Sequence, residues 1–150
     1  MLERKRADNS DRSWFLTRDA YVDQYRKTAV TTASPLKLVI MLYDGALRFI
    51  EQGRVAMEAK NTFQQHESLV KAQRIISELT ACLDMKQGGI ISENLFALYT
   101  FCYNELVEAN LVDNPEKLAT ASKVLEDLRS SWIEIEAQQR GENREERLAS

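Results

Sequence analysis

Residues 114–135 read NPEKLATASKVLEDLRSSWIEI. Leu118, Ala121, Leu125, Leu128, Trp132 and Ile135 recur three and four residues apart, with polar or charged side chains between most of them. That spacing holds one apolar stripe on one face of an α-helix; a strand would need strict alternation. Asn114 and Pro115 stand in front of it as an N-cap side chain and a proline at the first helical position, where the missing N–H costs nothing. A helix with one apolar stripe has to bury it against other elements.

The rest of the chain offers those elements. Ser34-Pro35 marks a second capped start, and a helical pattern runs from Pro35 to about Ala59. Asn61, with Gln64 three residues on, opens another. Its apolar line is Leu69, Ala72, Ile76, Leu79 and Leu83, and it ends near Asp84 ahead of the Gly88-Gly89 break. A third pattern spans about Ile91 to Leu111, with Ile91, Leu95, Leu98 and Cys102 on one line. Short connections force neighbouring helices to run antiparallel. The expected fold is all-α, an antiparallel up-down-up-down four-helix bundle. Residues 18–30, with Tyr21, Val22 and Tyr25 on one face, predict a short N-terminal capping segment too brief to stand alone. Residues 1–18 read as a flexible extension, 19–137 as one helical domain, and 138–150 as a polar, disordered tail.

Composition narrows the function. With 44% apolar and 29% charged residues, the 150-residue chain has the make-up of an ordinary globular domain. A net charge of −3 argues against a nucleic-acid binder, and no apolar run reaches the ~20 residues of a membrane span. The N-terminus lacks the apolar centre of a signal peptide, so a cytoplasmic protein is expected. Cys82 and Cys102 fall within apolar helical patterns and read as buried free thiols. The lone histidine, His66, sits in the polar run QQHES and reads as a surface residue. No Glu-x-x-His pair, Cys-x-x-Cys motif or phosphate loop is present. Hence no catalytic residue, metal site or cofactor is expected.

Two helices carry more apolar surface than a bundle needs. On 35–59, Lys37, Asp44, Glu51 and Glu58 form a polar strip, and Val39, Leu42, Ala46, Phe49, Gly53 and Met57 lie opposite as the expected core face. Ile40 and Leu47 flank the polar strip, and Tyr43 and Ile50 lie between them and the core face. On the third helix a second line, Phe96, Tyr99, Tyr103 and Leu106, runs beside the first. Each feature has a plain alternative, bundle boundary for Ile40 and Leu47 and core for the aromatic line. Together they predict an outer groove for a partner segment, with Tyr21, Tyr25, Ile40, Leu47, Ile50, Phe96, Tyr99 and Tyr103 as its candidate contacts.

The chain also resembles a known family. The run Y-x-x-x-Y, then V-x-T-A-S-P-x-x-L-x-x-M-L-Y-D-G-A-L (Tyr21, Tyr25, and Val30 to Leu47), is similar to the flagellar secretion chaperones called FliS. So are K-A-Q-x-I-I-x-E-L (Lys71 to Leu79), L-D-x-x-x-G-G-x-x-x-x-N-L-x-x-L-Y (Leu83 to Tyr99), E-A-N (Glu108 to Asn110) and the closing Trp132. The matches occur in order over about residues 19–137; Lys37 and Ser92 depart from the family pattern, and residues 1–18 have no counterpart. The resemblance implies a cytoplasmic helical bundle, a monomer or weak homodimer. It would bind the disordered C-terminal segment of flagellin in outer hydrophobic grooves, prevent early polymerisation and deliver it to the flagellar type III export gate. It also implies that the N-terminal segment, with Tyr21, can lie over part of that surface until the client displaces it. Two other functions compete: an adaptor bundle that self-assembles through the same face, and an enzyme or metal protein.

Overall fold

The computed structural model describes residues 35–149, and Val39–Ser150 form one compact unit. Four helices follow in order: α1 (Pro35–Glu58), α2 (Thr62–Ala81), α3 (Gly89–Val112) and α4 (Pro115–Ala149). Of the three expected caps, Ser34 lies outside the described residues and the other two form. Asn61 Oδ1 accepts from the Gln64 N–H at 3.2 Å, and Asn114 Oδ1 accepts from the Glu116 N–H at 3.0 Å. Asp84 Oδ1 holds the α2–α3 connection by accepting from the N–H groups of Lys86 and Gln87. Gly89 ends that connection with φ +54, a conformation that costs a side-chain-bearing residue about 1–2 kcal/mol.

The helices pack antiparallel. Against α2, Gly45 faces Ile75 and Gly53 faces Leu69, so the two chains run in opposite senses. A Cβ on Gly53 would come within 2.5 Å of Leu69 Cδ2, so the bare backbone is what lets α2 approach. Between α3 and α4, the Cys102 thiol points at the Ala121 carbonyl and Lys117 Nζ lies 2.8 Å from Glu108 Oε2. Asp44 pairs with Arg129, and Tyr43 accepts from Trp132 Nε1 at 3.1 Å, closing α1 against α4. The core is one cluster drawn from all four helices, centred on Tyr43, Ile50, Leu69, Ile76, Leu106, Leu118 and Leu125.

Three expectations change. The buried arc of α1 is Tyr43, Ala46, Ile50, Gly53 and Met57, with Gly45 and Ala56 beside it. It reaches Tyr43 and Ile50 on the Ile40–Leu47 side and the small residues Gly45 and Ala56 on the other, while Val39, Leu42 and Phe49 are only half-buried. Tyr43 can go inside because its hydroxyl finds two partners there, Tyr99 and Trp132.

On α4, Ile135 is 39% exposed and Glu136 is buried in its place. Eighteen residues make five full helical turns, which returns position 136 to the line of Leu118. Arg140 Nε lies 2.9 Å from Glu136 Oε1, an ionic contact without hydrogen-bond alignment.

The chain from 138 to 149 is helical rather than a disordered tail. Its Glu, Gln, Arg and Ala residues have high helix propensity, and Arg147 in the last turn complements the helix dipole. The capping segment, Tyr21 and Tyr25 lie outside the described residues.

Candidate functional site

The inner line of α3 is Ser92, Leu95, Tyr99, Cys102, Leu106 and Ala109, spaced three and four apart. It takes members from both apolar lines seen in the sequence. Tyr99, in the second of those lines, is 2% exposed, and Leu106 is sealed. Ile91, in the first, is 66% exposed. Tyr99 is drawn in by its hydroxyl, which bonds Tyr43 across the bundle, while the Trp132 indole donates to the same Tyr43 oxygen. Burial pushes the titration of both phenols upward, and the Cys102 thiol between α3 and α4 is pushed up to about 12. These groups are protonated structural members of the core.

Phe96 and Tyr103 remain outside, on the flank of α3. They stand seven residues apart, and seven further on is Asn110. Residues at this interval form one slowly slanting line along a helix. Asn110 shows which neighbour the line faces: its Oδ1 accepts from Gln65 Nε2 at 3.1 Å and its Nδ2 lies 3.0 Å from His66 Nδ1. Both partners are on α2, so the Phe96–Tyr103 stripe follows the outer seam between α2 and α3. Phe96 is 46% and Tyr103 37% exposed.

The other candidates divide. Ile40 and Leu47 are half-buried, and Leu47 packs against the core. Ile50, 2% exposed, is a core residue rather than an outer contact, as is Tyr99. Phe49, on the α1–α2 side, has Arg48 and Lys71 over its ring at 5.4 and 5.7 Å, so its outer face is already occupied by cations. Phe63 on α2 (74% exposed) and Phe101 on α3 (42%) are open as well, and the outer seam of α2–α3 is where two exposed aromatic side chains, Phe96 and Tyr103, stand in one line.

Sequence reasoning missed two things. Cys82, expected buried, is exposed at the C-cap of α2, while Cys102 is buried as expected. The polar clasp of Gln65, His66, Asn110 and Asp113 went unseen because its members are far apart in the chain. Gln65, 3% exposed, donates to Asp113 Oδ1 at 2.8 Å as well as to Asn110. Among the described residues no helix is long and apolar enough to cross a membrane. No group of three or more His, Cys, Asp or Glu side chains among them could hold a metal ion.

The chain matches the family model described as "Flagellar protein FliS" over residues 17–139. It belongs to the FliS family. A flagellar secretion chaperone FliS of Vibrio cholerae is 37% identical over 115 residues, covering 74% of this chain and 85% of the relative. That of Bacillus subtilis is 35% identical, covering 72% of this chain and 80% of its own. A solved flagellar chaperone from bacteria superposes with a TM-score of 0.64 at 17% identity, covering 75% of this chain and 94% of that one, and shares the fold. As a FliS protein the chain is a chaperone of flagellar secretion and not an enzyme.

Proposed function

We propose that this FliS protein binds the C-terminal segment of flagellin along the outer apolar surface of its bundle, in the cytoplasm. There it keeps the segment from polymerising early and hands it to the flagellar type III export apparatus. The observation that carries this is the open Phe96–Tyr103 stripe on the α2–α3 seam of a bundle whose inside is already filled. An aromatic stripe beside a complete core gains by being covered, and a segment without structure of its own can lay apolar side chains on it.

The magnitudes suit a holding protein. Each large apolar side chain that becomes buried contributes about 1.5–3 kcal/mol. Five or six such contacts, shared among Phe96, Tyr103, the half-buried Ile40 and Leu47 and side chains of the client, give on the order of 10 kcal/mol. Ordering a disordered client costs about 2–5 kcal/mol or more. What is left, about 5–8 kcal/mol, corresponds to binding between about a micromolar and a few hundred micromolar, weak enough to release.

Calorimetry of the full chain with a flagellin C-terminal peptide tests this. Wild type should bind, and Phe96→Glu combined with Tyr103→Glu should weaken binding at least about tenfold while melting within a few degrees of wild type. No binding by wild type, in a sample that light scattering shows to self-associate with rising concentration, would favour the self-assembling adaptor instead.

A further inference from the structure

The polar clasp at one end of the seam has a direction. Asp113, in the left-handed conformation at the C-cap of α3, offers a carboxylate that can only accept. Gln65 must therefore turn its amide nitrogen toward Asp113, and the same nitrogen faces Asn110. That fixes Asn110 with its oxygen to Gln65 and its nitrogen to His66. The Asn110 nitrogen only donates, so His66 Nδ1 has to accept. A neutral imidazole that accepts at Nδ1 carries its proton on Nε2, at the far side of the ring. The chain of four groups thus converts an acid at Asp113 into an aimed N–H donor on His66, a residue exposed to solvent.

We propose that His66 Nε2–H anchors the client at the end of the α2–α3 seam by donating to one of its backbone carbonyl oxygens. The inference rests on the client-binding function proposed above. The Phe96–Tyr103–Asn110 line is about 21 Å long at 1.5 Å per residue. An extended segment of about six residues covers that length. Apolar side chains of such a segment meet Phe96 and Tyr103, and its backbone reaches His66 where the apolar line gives way to Asn110. A carbonyl fits better than a carboxylate, because Asp113 already places a negative charge within the clasp. The donor also sets register: a segment shifted along the stripe keeps its apolar contacts and loses this one.

The test uses the full chain, its ¹⁵N-labelled imidazole read by NMR near pH 8, and calorimetry with the flagellin C-terminal peptide. Wild-type His66 should show the Nε2–H tautomer, and its Nε2 signal should shift on adding peptide. His66→Phe should bind about three- to tenfold more weakly, the size of one hydrogen bond. His66→Gln, which can accept from Asn110 and still donate outward, should stay within about threefold of wild type. Asn110→Asp should move the ring proton to Nδ1, where the new carboxylate accepts it, and weaken binding like His66→Phe although the imidazole is still present. Melting of each variant separates these effects from unfolding. A wild-type Nδ1–H tautomer, or equal peptide binding by wild type and His66→Phe, would overturn the anchor and leave the client-binding function standing. Failure of wild type to bind the peptide at all would remove both.

Discussion

Tyr99 and Tyr103 are the same residue one turn apart on α3, and they have opposite fates. Tyr99 is 2% exposed and bonded to Tyr43, beneath the Trp132 indole; Tyr103 is 37% exposed beside Phe96 on the outer seam. Around Tyr99 the packing is complete, with Leu106, Cys102 and Leu125 sealed. Around Tyr103 the described residues offer no further helix. A tyrosine is drawn inside where its hydroxyl is satisfied, and one left half outside on an apolar stripe is ready for a partner. The inner line of α3 holds the fold together, and its flank carries the proposed binding surface.

The comparison can be broken by substitution. Leu106→Ala on the inner line should cost about 2–5 kcal/mol in denaturant unfolding, because the removed side chain leaves a cavity among close-packed neighbours. Tyr43→Phe should cost about 1–3 kcal/mol, since it leaves the Trp132 N–H and the Tyr99 hydroxyl without their shared partner. Phe96→Ser should fall within about 0.5 kcal/mol of wild type in the same measurement, as an outer position ought to. A loss at Phe96 as large as that at Leu106 would erase the distinction between line and flank.

pH sharpens the same contrast. The Tyr43 and Tyr99 phenols and the Cys102 thiol all hold their protons more tightly in the folded chain, Cys102 up to about 12 against a usual 9.0. Groups raised in this way contribute stability that is whole below their ordinary titration and lost as the pH climbs through the raised one. Chemical unfolding should therefore show no loss from the thiol below about pH 9 and a growing loss from there to about 12, an effect that Cys102→Ala should reduce. A thiol reagent should titrate Cys82 in the folded protein and Cys102 only after unfolding.

Much of this was legible before any coordinates. The Asn114-Pro115 start, the Asn61 cap, the break at Gly88-Gly89 and the buried run of Leu118, Ala121 and Leu125 all stand where local chemistry puts them. Local rules failed where two choices were equally apolar or where a partner lay far away in the chain. On α3 both lines were greasy, and only the distant Tyr43 hydroxyl decided that Tyr99 belonged inside. On α4 both Ile135 and Glu136 fitted a three-or-four spacing, and the count of full turns from Leu118 favoured the charged one. His66 looked like an idle surface histidine because Asn110, 44 residues on, was out of view.

The sequence by itself determined that this protein is a set of capped amphipathic helices with short connections, because helical period, caps and breaks are properties of neighbouring residues. It also carried the family, through motifs that occur in order. Only the tertiary structure decided which of the surplus apolar residues face inward and which stay on the α2–α3 seam, and which way the amides of Gln65 and Asn110 point. Those choices depend on where distant side chains can satisfy one another's hydrogen bonds, and no spacing along a single helix contains that information.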